Sequence, residues 1–316
     1  MDPGTIKMLT SKNLQTILPI IYSFIFIVSI PLNSISFWFL CRHARPRTPT
    51  IIYVTNLAIT DLLYSMMLPF QVVYHMNGNN WVFKDAFCRL ITVLFYSNMH
   101  CSILTMMSIS VERYLGIVHP LHTKHLRTVK AAVLTCIFIW LFVLLVHTPL
   151  MYTDLTYKVK ELEIVTCFDV LPKNMFQKKA YFYVYFGSQI LLFFIVPLLV
   201  MGTCYGFVIL TLISSSVRQF KHIKMQTVYL IILVLTTFLV CYLPNAILMV
   251  LHAAYSNKGK SFYIEYKLTL ALNSLNCCFD PFVYYFASKE FRKTIQKKLC
   301  KCRSDTFTEQ SSTMLS

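Results

Sequence analysis

The sequence predicts an all-α membrane protein: a seven-transmembrane helix bundle followed by a short amphipathic eighth helix. Three observations carry that reading. Seven apolar stretches recur along the 316 residues, each near the ~20 residues that cross ~30 Å of hydrocarbon. Only 13% of the chain is charged and 56% is hydrophobic, against about 25% charged residues in soluble domains. The net charge of +16 is concentrated on alternate connections, the pattern of a chain that threads a bilayer back and forth. The crossings use nearly all the length, so no sizeable soluble domain fits.

The spans fall near 17–41, 50–76, 86–118, 130–152, 180–213, 221–253 and 263–286. They divide the chain into an outer segment 1–16, a membrane domain 17–286 and a tail 287–316. No cleavable signal peptide is evident, and the first apolar run reads as a signal-anchor. Arg45-Pro-Arg-Thr-Pro49 and Asn77-Gly-Asn-Asn80 are turn signals after the first two spans. Pro31, Pro69, Pro149, Pro197, Pro244 and Pro281 lie within spans; each removes a backbone hydrogen bond and can kink its helix. Pro244 and Pro281 are expected pivots.

Charge placement sets the orientation. Arg42, Arg45 and Arg47 follow the first span, Lys124, Arg127 and Lys130 the third, and Arg218, Lys221 and Lys224 the fifth, all without acids. The opposite connections mix Lys158, Lys160, Lys173, Lys178 and Lys179 with Asp154, Glu161, Glu163 and Asp169. Lys/Arg excess marks the cytoplasmic side, which puts the amino terminus outside the cell and the carboxyl terminus inside. Basic residues that flank spans do not indicate nucleic acid. No Asn-x-Ser/Thr sequon is present. In the tail, Phe291, Ile295 and Leu299 share one helical face and Arg292, Lys293, Lys297 and Lys298 cover the others, the pattern of a helix lying on an anionic leaflet. Cys300 and Cys302 follow at once as candidates for palmitoylation.

Three constellations suggest chemistry. Cys88 and Cys167 are the two cysteines placed on the outer face, where disulfides persist; a bridge would pin the fourth-to-fifth connection across the bundle mouth. Glu112-Arg113-Tyr114 ends the third span, where a buried charge needs neutralisation. Glu112 is expected to pair with Arg113, and Lys224 offers no carboxylate for a lock between the third and sixth helices. Asp61 lies mid-span in the second helix, with Asn33, Ser102, Asn276 and Asp280 as candidate partners from other helices. Two carboxylates and neutral oxygens suit a sodium ion with water; the alternative is a protonated, hydrogen-bonded carboxyl.

The order of Asn33, Asp61, Cys88, Glu112-Arg113-Tyr114, Trp140, Cys167, Pro197 with Tyr205, Phe238 with Cys241-Tyr-Leu-Pro244, and Asp280-Pro281-Phe-Val-Tyr284 resembles the rhodopsin-like G-protein-coupled receptors over residues 17–300. The Asp-Pro form of the last motif is similar to the purinoceptor, lysophospholipid and protease-activated branch. Asn77-Gly-Asn-Asn-Trp-Val-Phe83 and Val165-Thr-Cys-Phe-Asp-Val170 resemble its metabotropic purinoceptors most. Departures are present. Leu32 replaces the usual glycine before Asn33, and Tyr242 stands where the family has tryptophan. The outer segment carries no arginine, against thrombin-like cleavage. Asn245-Ala-Ile-Leu-Met249 lacks the histidine and basic residue that clamp nucleotide phosphates in relatives.

The resemblance implies an outer ligand cavity and an inner cleft for a heterotrimeric G protein, of the twelve/thirteen class, in the plasma membrane. Phe95 occupies the position where amine receptors carry aspartate. Inward-facing candidates are Phe95, Tyr96, Met99, His100, Tyr152, Tyr181, Tyr185, Asn245, His252, Tyr255 and Tyr266; the competing reading makes several of the tyrosines an interfacial belt. Arg89, Lys178, Lys179 and Lys267 are expected at the rim for an acidic head group, so the expected ligand is a small acidic amphiphile or lipid conjugate. Arg113, Pro120, Leu121, Tyr205, Phe238, Tyr242, Pro244 and Tyr284 are expected to carry the switch and the coupling. Phosphorylation among Ser304, Thr306, Thr308, Ser311, Ser312 and Thr313 would recruit arrestin. A non-signalling scavenger receptor and a nucleotide-activated purinoceptor are alternatives. A transporter would show repeated halves or an ionisable pathway, and neither is seen. No metal cluster, nucleophile elbow or phosphate loop suggests an enzyme, and no cofactor beyond sodium is expected.

Overall fold

The computed structural model describes residues 3–42, 47–169, 179–214, 221–255 and 262–287. The seven spans form a helix bundle. The first is α2 (Lys12–Arg42), preceded by a short α1 (Pro3–Leu9). The second is α3 (Pro49–Ser65) with α4 (Leu68–Met76), the third α5 (Asp85–Ile117), and the fourth α6 (Val129–Val146) with α7 (Thr148–Tyr152). The fifth comprises α8 (Lys179–Ile190) and α9 (Val196–Ser214), the sixth α10 (Lys221–Thr237) and α11 (Leu243–Tyr255), the seventh α12 (Tyr263–Ser274) and α13 (Asn276–Ala287). Among the described residues six helices are long and apolar enough to cross a membrane. The seventh span is not among them: it carries Asn273, Asn276 and Asp280 within its apolar run, and it breaks at Leu275 into two helices of 12 residues.

Local chemistry explains the helix ends and the breaks. Thr48 and Thr128 cap α3 and α6, their hydroxyls accepting from the amides of Ile51 and Ala131, which satisfies amides that have no partner within the helix. Proline explains most of the interruptions, the break at Leu275 excepted. Pro69 and Pro149 sit in the first turns of α4 and α7, where a missing N–H costs nothing. Leu191–Ile195 and Phe238–Tyr242 are single π turns just ahead of Pro197 and Pro244. The wider ladder there lets the Val196 amide reach back to the Leu191 carbonyl. Such π bulges gather at functional sites. Pro281 lies inside α13 and cannot donate to the Cys277 carbonyl four residues back. Asn33 of the first span takes that carbonyl instead, at 2.8 Å.

Two features were not foreseen. The fourth-to-fifth connection contains an antiparallel hairpin, β1 (Thr156–Val159) and β2 (Ile164–Cys167), with Thr156 opposite Cys167. Asp85 accepts from the Leu155 and Thr156 amides and the Thr156 hydroxyl, and Trp81 donates to the Val165 carbonyl. Residues 1–16 fall outside the expected spans, yet Met8 and Leu9 are buried against the end of the bundle that carries the hairpin, the outer end in the expected orientation, in a cluster with Val159 and Ala271. The Asn79 amide holds the Leu9 carbonyl at 2.8 Å, from a tight turn in which Gly78 and Asn79 both take positive φ.

Candidate functional site

Two adjoining clefts lie between the outer halves of the helices. The deeper, enclosing about 340 Å³ up to its open mouth, is lined from α5, the fifth span and the sixth by Met99, His100, Ile103, Gln189, Phe193, Phe194, Tyr242, Asn245 and Met249, among others. The outer one, about 320 Å³, adds Tyr96, His147, Leu150, Phe168 and Tyr185. Part of that space is open to solvent. Their polar lining is sparse and mostly engaged: His100 Nδ1 faces His147 Nε2 at 3.1 Å, and Asn245 donates to Thr269 at 3.3 Å. Cys88 is bonded to Cys167, which holds β2 against the outer end of α5. The next residue, Phe168, adopts a positive φ and sets its ring edge-on to Tyr96, centroids 5.5 Å apart. Asp169 then accepts from the Tyr74 hydroxyl at 2.6 Å and pairs with Lys267 of the seventh span.

Below the clefts lies a polar core. Asp61 and Asp280 are both fully buried. Asp61 accepts from Asn98 at 3.0 Å and from the Tyr284 hydroxyl at 3.3 Å; that hydroxyl also lies 3.1 Å from Asn33 Oδ1. Asn276 donates to Ser102 at 3.4 Å, and Ser29 meets Ser65 at 2.7 Å. Asp280 faces the Asp61 carboxyl and the Asn276 side chain, without a well-formed hydrogen bond to either of its carboxyl oxygens. Two buried carboxyls cannot both stay ionised without a compensating charge. The donor set (two carboxyls, an amide oxygen, a hydroxyl) is all oxygen and fits a hard monovalent cation.

At the inner end, Glu112 is held from three sides. Arg127 of the second inner connection donates to Oε1 at 2.8 Å, and Thr50 donates to Oε2 at 3.0 Å. Arg113 stands 3.6 Å from Oε2 and donates to the Thr50 hydroxyl at 3.2 Å. Glu112 thus pairs with Arg113 as expected, at 3.6 Å, but its tighter partner is Arg127, at 2.8 Å. Both are arginines, but Arg127 approaches from another segment and is free of the stereochemistry that points adjacent side chains apart. The Tyr205 hydroxyl is buried without a partner among the described residues.

A family model described as 7 transmembrane receptor (rhodopsin family) matches residues 11–284. The chain belongs to that family. It is 44% identical over 293 residues to purinoceptor 8 of Gallus gallus, covering 92% of this chain and 82% of that protein. Identity is 42% over 299 residues to the S-geranylgeranyl-glutathione receptor of Homo sapiens, covering 94% and 83%, and 38% over 296 residues to proteinase-activated receptor 1 of Xenopus laevis, covering 93% and 69%. The protein is thus a G-protein-coupled receptor and not an enzyme.

The rhodopsin-family receptor gathers many of the expected residues and disperses others. Asn33, Asp61, Ser102, Asn276, Asp280 and Tyr284 form one core. Tyr96, Met99, His100, Tyr185 and Asn245 line the clefts. Tyr152 and Tyr181 do not face inward: they are 83% and 56% exposed, as expected of tyrosines at span ends that anchor in the interface. Phe95 packs on Tyr64 and Tyr96 at 5.5 and 5.1 Å and lines neither cleft. Tyr266 stands behind the outer cleft, its hydroxyl 3.3 Å from that of Tyr96. Arg89 is not free for a ligand: it is paired with Asp85 at 2.6 Å and Asp154 at 3.6 Å, and it donates to the Met151 carbonyl. Lys267 is likewise engaged by Asp169. The side chains of Lys179, Lys224, His252 and Tyr255 lie outside the described residues, as do Lys178, the amphipathic segment and Cys300 and Cys302. The residues missed were Asn98, Gln189, Phe193, His147 and Arg127. Helical spacing could have found three of them: Asn98 precedes Ser102 by one turn, and Gln189 and Phe193 continue the face of Tyr185.

Proposed function

We propose that this receptor binds an acidic lipid conjugate from outside the cell and activates a heterotrimeric G protein of the twelve/thirteen class. The observation that carries the reading is the chemistry of the clefts, apolar and aromatic with few polar tips, under a rim where Lys267 supplies a half-buried cation. The relative named as an S-geranylgeranyl-glutathione receptor supports the same class, a long apolar tail on an acidic peptide. An incoming carboxylate competes with Asp169 for Lys267 and so loosens the hairpin lid. Arg89, held by two acids, takes no part.

The ligand then acts by binding one conformation better than the other. Closure around Tyr242 and Phe238 presses on the π turn, and the sixth span swings about Pro244. A sodium ion, where bound, would be held by Asp61 and Asp280 with Ser102 and Asn276, and it supplies the positive charge that the two carboxyls lack. Contraction of this core releases Tyr284 from Asp61, so that Tyr284 and Tyr205 turn toward Arg113. Arg113 leaves Thr50 and Glu112 and becomes the floor of a cleft for the Gα carboxyl-terminal helix. Leu121, 87% exposed, beside Pro120, adds an apolar contact. The bilayer is the plasma membrane, with the amino terminus outside. Palmitoylation at Cys300 and Cys302 and arrestin recruitment by the phosphorylated tail complete the cycle.

The test is nucleotide exchange on purified Gα subunits by receptor reconstituted in vesicles, with S-geranylgeranyl-glutathione as the probe. Accelerated exchange on a twelve/thirteen-class Gα is expected. Saturable binding without exchange on any Gα would make the protein a scavenger receptor instead.

A further inference from the structure

Two polar side chains in the deeper cleft lack the partners that burial demands. Gln189 is 7% exposed and Tyr242 3% exposed. Neither the carboxamide nitrogen nor the oxygen of Gln189 has a hydrogen-bond partner among the described residues, and neither does the Tyr242 hydroxyl. Both side chains line the deeper cleft, and Gln189 lines the outer one as well. Their polar neighbours are already engaged, His100 by His147 and Asn245 by Thr269. The remaining walls are apolar: Ile103, Phe193, Phe194, Met249. Buried amides and phenols in native proteins are almost always satisfied, and leaving them bare is costly. Such a pair facing a cavity is suited to a guest that completes it.

We infer that Gln189 and Tyr242 form a subsite for a peptide-type amide of the ligand. A carboxamide offers one acceptor and two donors, the complement of a secondary amide, so Gln189 can pair with it in both directions. The phenol donates to the same carbonyl. This rests on the reading of the ligand as an acidic lipid conjugate and specifies its head group as a peptide. The depths agree. Tyr266, the neighbour of Lys267, touches Tyr96, whereas Gln189 shares its cleft with His100, one helical turn or about 5.4 Å further in. An extended tripeptide reaches about 10 Å. It can therefore present a carboxylate at Lys267 and an amide at Gln189 together, with its apolar branch against Phe193 and Phe194.

The experiment measures binding of S-geranylgeranyl-glutathione, which has two amides, and of S-geranylgeranyl-cysteine, which has none, to wild type, Gln189→Leu and Tyr242→Phe. Thermal unfolding of each receptor without ligand is recorded in parallel. Wild type is expected to prefer the glutathione conjugate at least tenfold. Gln189→Leu should bind the two conjugates alike, and Tyr242→Phe, which keeps the ring, should lose part of the preference. Removing an unpartnered group should also raise the melting temperature of the empty receptor in both variants, the opposite of what a structural residue would do. Unchanged preference in both variants overturns the subsite and leaves the ligand class standing. A fall in both melting temperatures overturns it too, because the groups are then satisfied within the protein. Failure of wild type to bind either conjugate overturns the ligand class and the subsite together.

Discussion

Gly116 is small because Arg127 needs the space. A Cβ built there would stand 2.5 Å from a guanidinium nitrogen of Arg127, the group that clamps Glu112. Gly116→Ala should push that guanidinium aside and weaken the clamp, and Arg127→Ala should remove it. Glu112 is buried and Arg127 30% exposed; solvent screening on the arginine side leaves such a pair worth about 1 kcal/mol, which as a shift between two states is roughly fivefold. Both variants should therefore raise ligand-free nucleotide exchange about that much; unchanged or lower basal exchange would show that Arg127 does not restrain Glu112. In the polar core, Asp280 makes no well-formed hydrogen bond where it faces Asp61 and Asn276, so its replacement leaves fewer groups stranded than that of Asp61, which anchors Asn98 and Tyr284. Asp280→Asn should abolish any sodium dependence of ligand affinity while the receptor still folds, measured by binding in sodium against choline buffer. Retention of the full sodium effect would remove Asp280 from the ion site.

At the scale of elements, proline and its helpers define the joints. Pro281 frees the Cys277 carbonyl, and Asn33 caps it from another helix. Asn33→Ala should cost about 1–3 kcal/mol by stranding that carbonyl, read as a lower melting temperature in detergent. Pro281→Ala restores a donor within the helix, so the double variant should recover part of the loss; additive losses would contradict the pairing. Asn273 plays a similar part at the sixth span: with its amide oriented to suit its surroundings, it donates to the Cys241 carbonyl within the π turn and to the Thr269 carbonyl at 3.2 Å. The prolines were visible in the sequence, and so were the joints. Their form was not, because whether a proline yields a break, a π turn or a capped carbonyl depends on which neighbour supplies the donor. The hairpin lid was hidden for a similar reason: it is held by Asp85, by Trp81 and by Asn80, whose side-chain oxygen accepts from the Val165 amide at 2.9 Å, residues far away in sequence, more than by alternation within two four-residue strands. Cys88→Ser should release β2 from α5 and weaken ligand binding more than tenfold with little change in helix content, checked by radioligand binding and circular dichroism.

Over the whole molecule, hydropathy and charge made the bundle legible, since seven apolar runs admit few alternatives in a bilayer. The polar core was legible as well: carboxyls and amides stand out in apolar spans, and a lone one has no reason to exist there. The outer cavity was read less well. Burial on a membrane helix depends on which face meets lipid and which meets protein, and apolar residues occupy both, so Tyr152 and Tyr181 could not be told from Tyr185. Pairing at the rim also escaped: Asp85 and Arg89 stand four apart on one helix and could have been read as a pair, whereas Asp154 and Asp169 meet Arg89 and Lys267 only in the folded chain. The central claim is that a guest in the outer clefts moves the inner end of the sixth span. Spin labels at Met225→Cys and Leu126→Cys, in a background with Cys41, Cys300 and Cys302 replaced by serine, report that movement through their separation. Saturating S-geranylgeranyl-glutathione should lengthen the separation or populate a longer one. An identical distance distribution with ligand bound and with ligand absent would contradict the account.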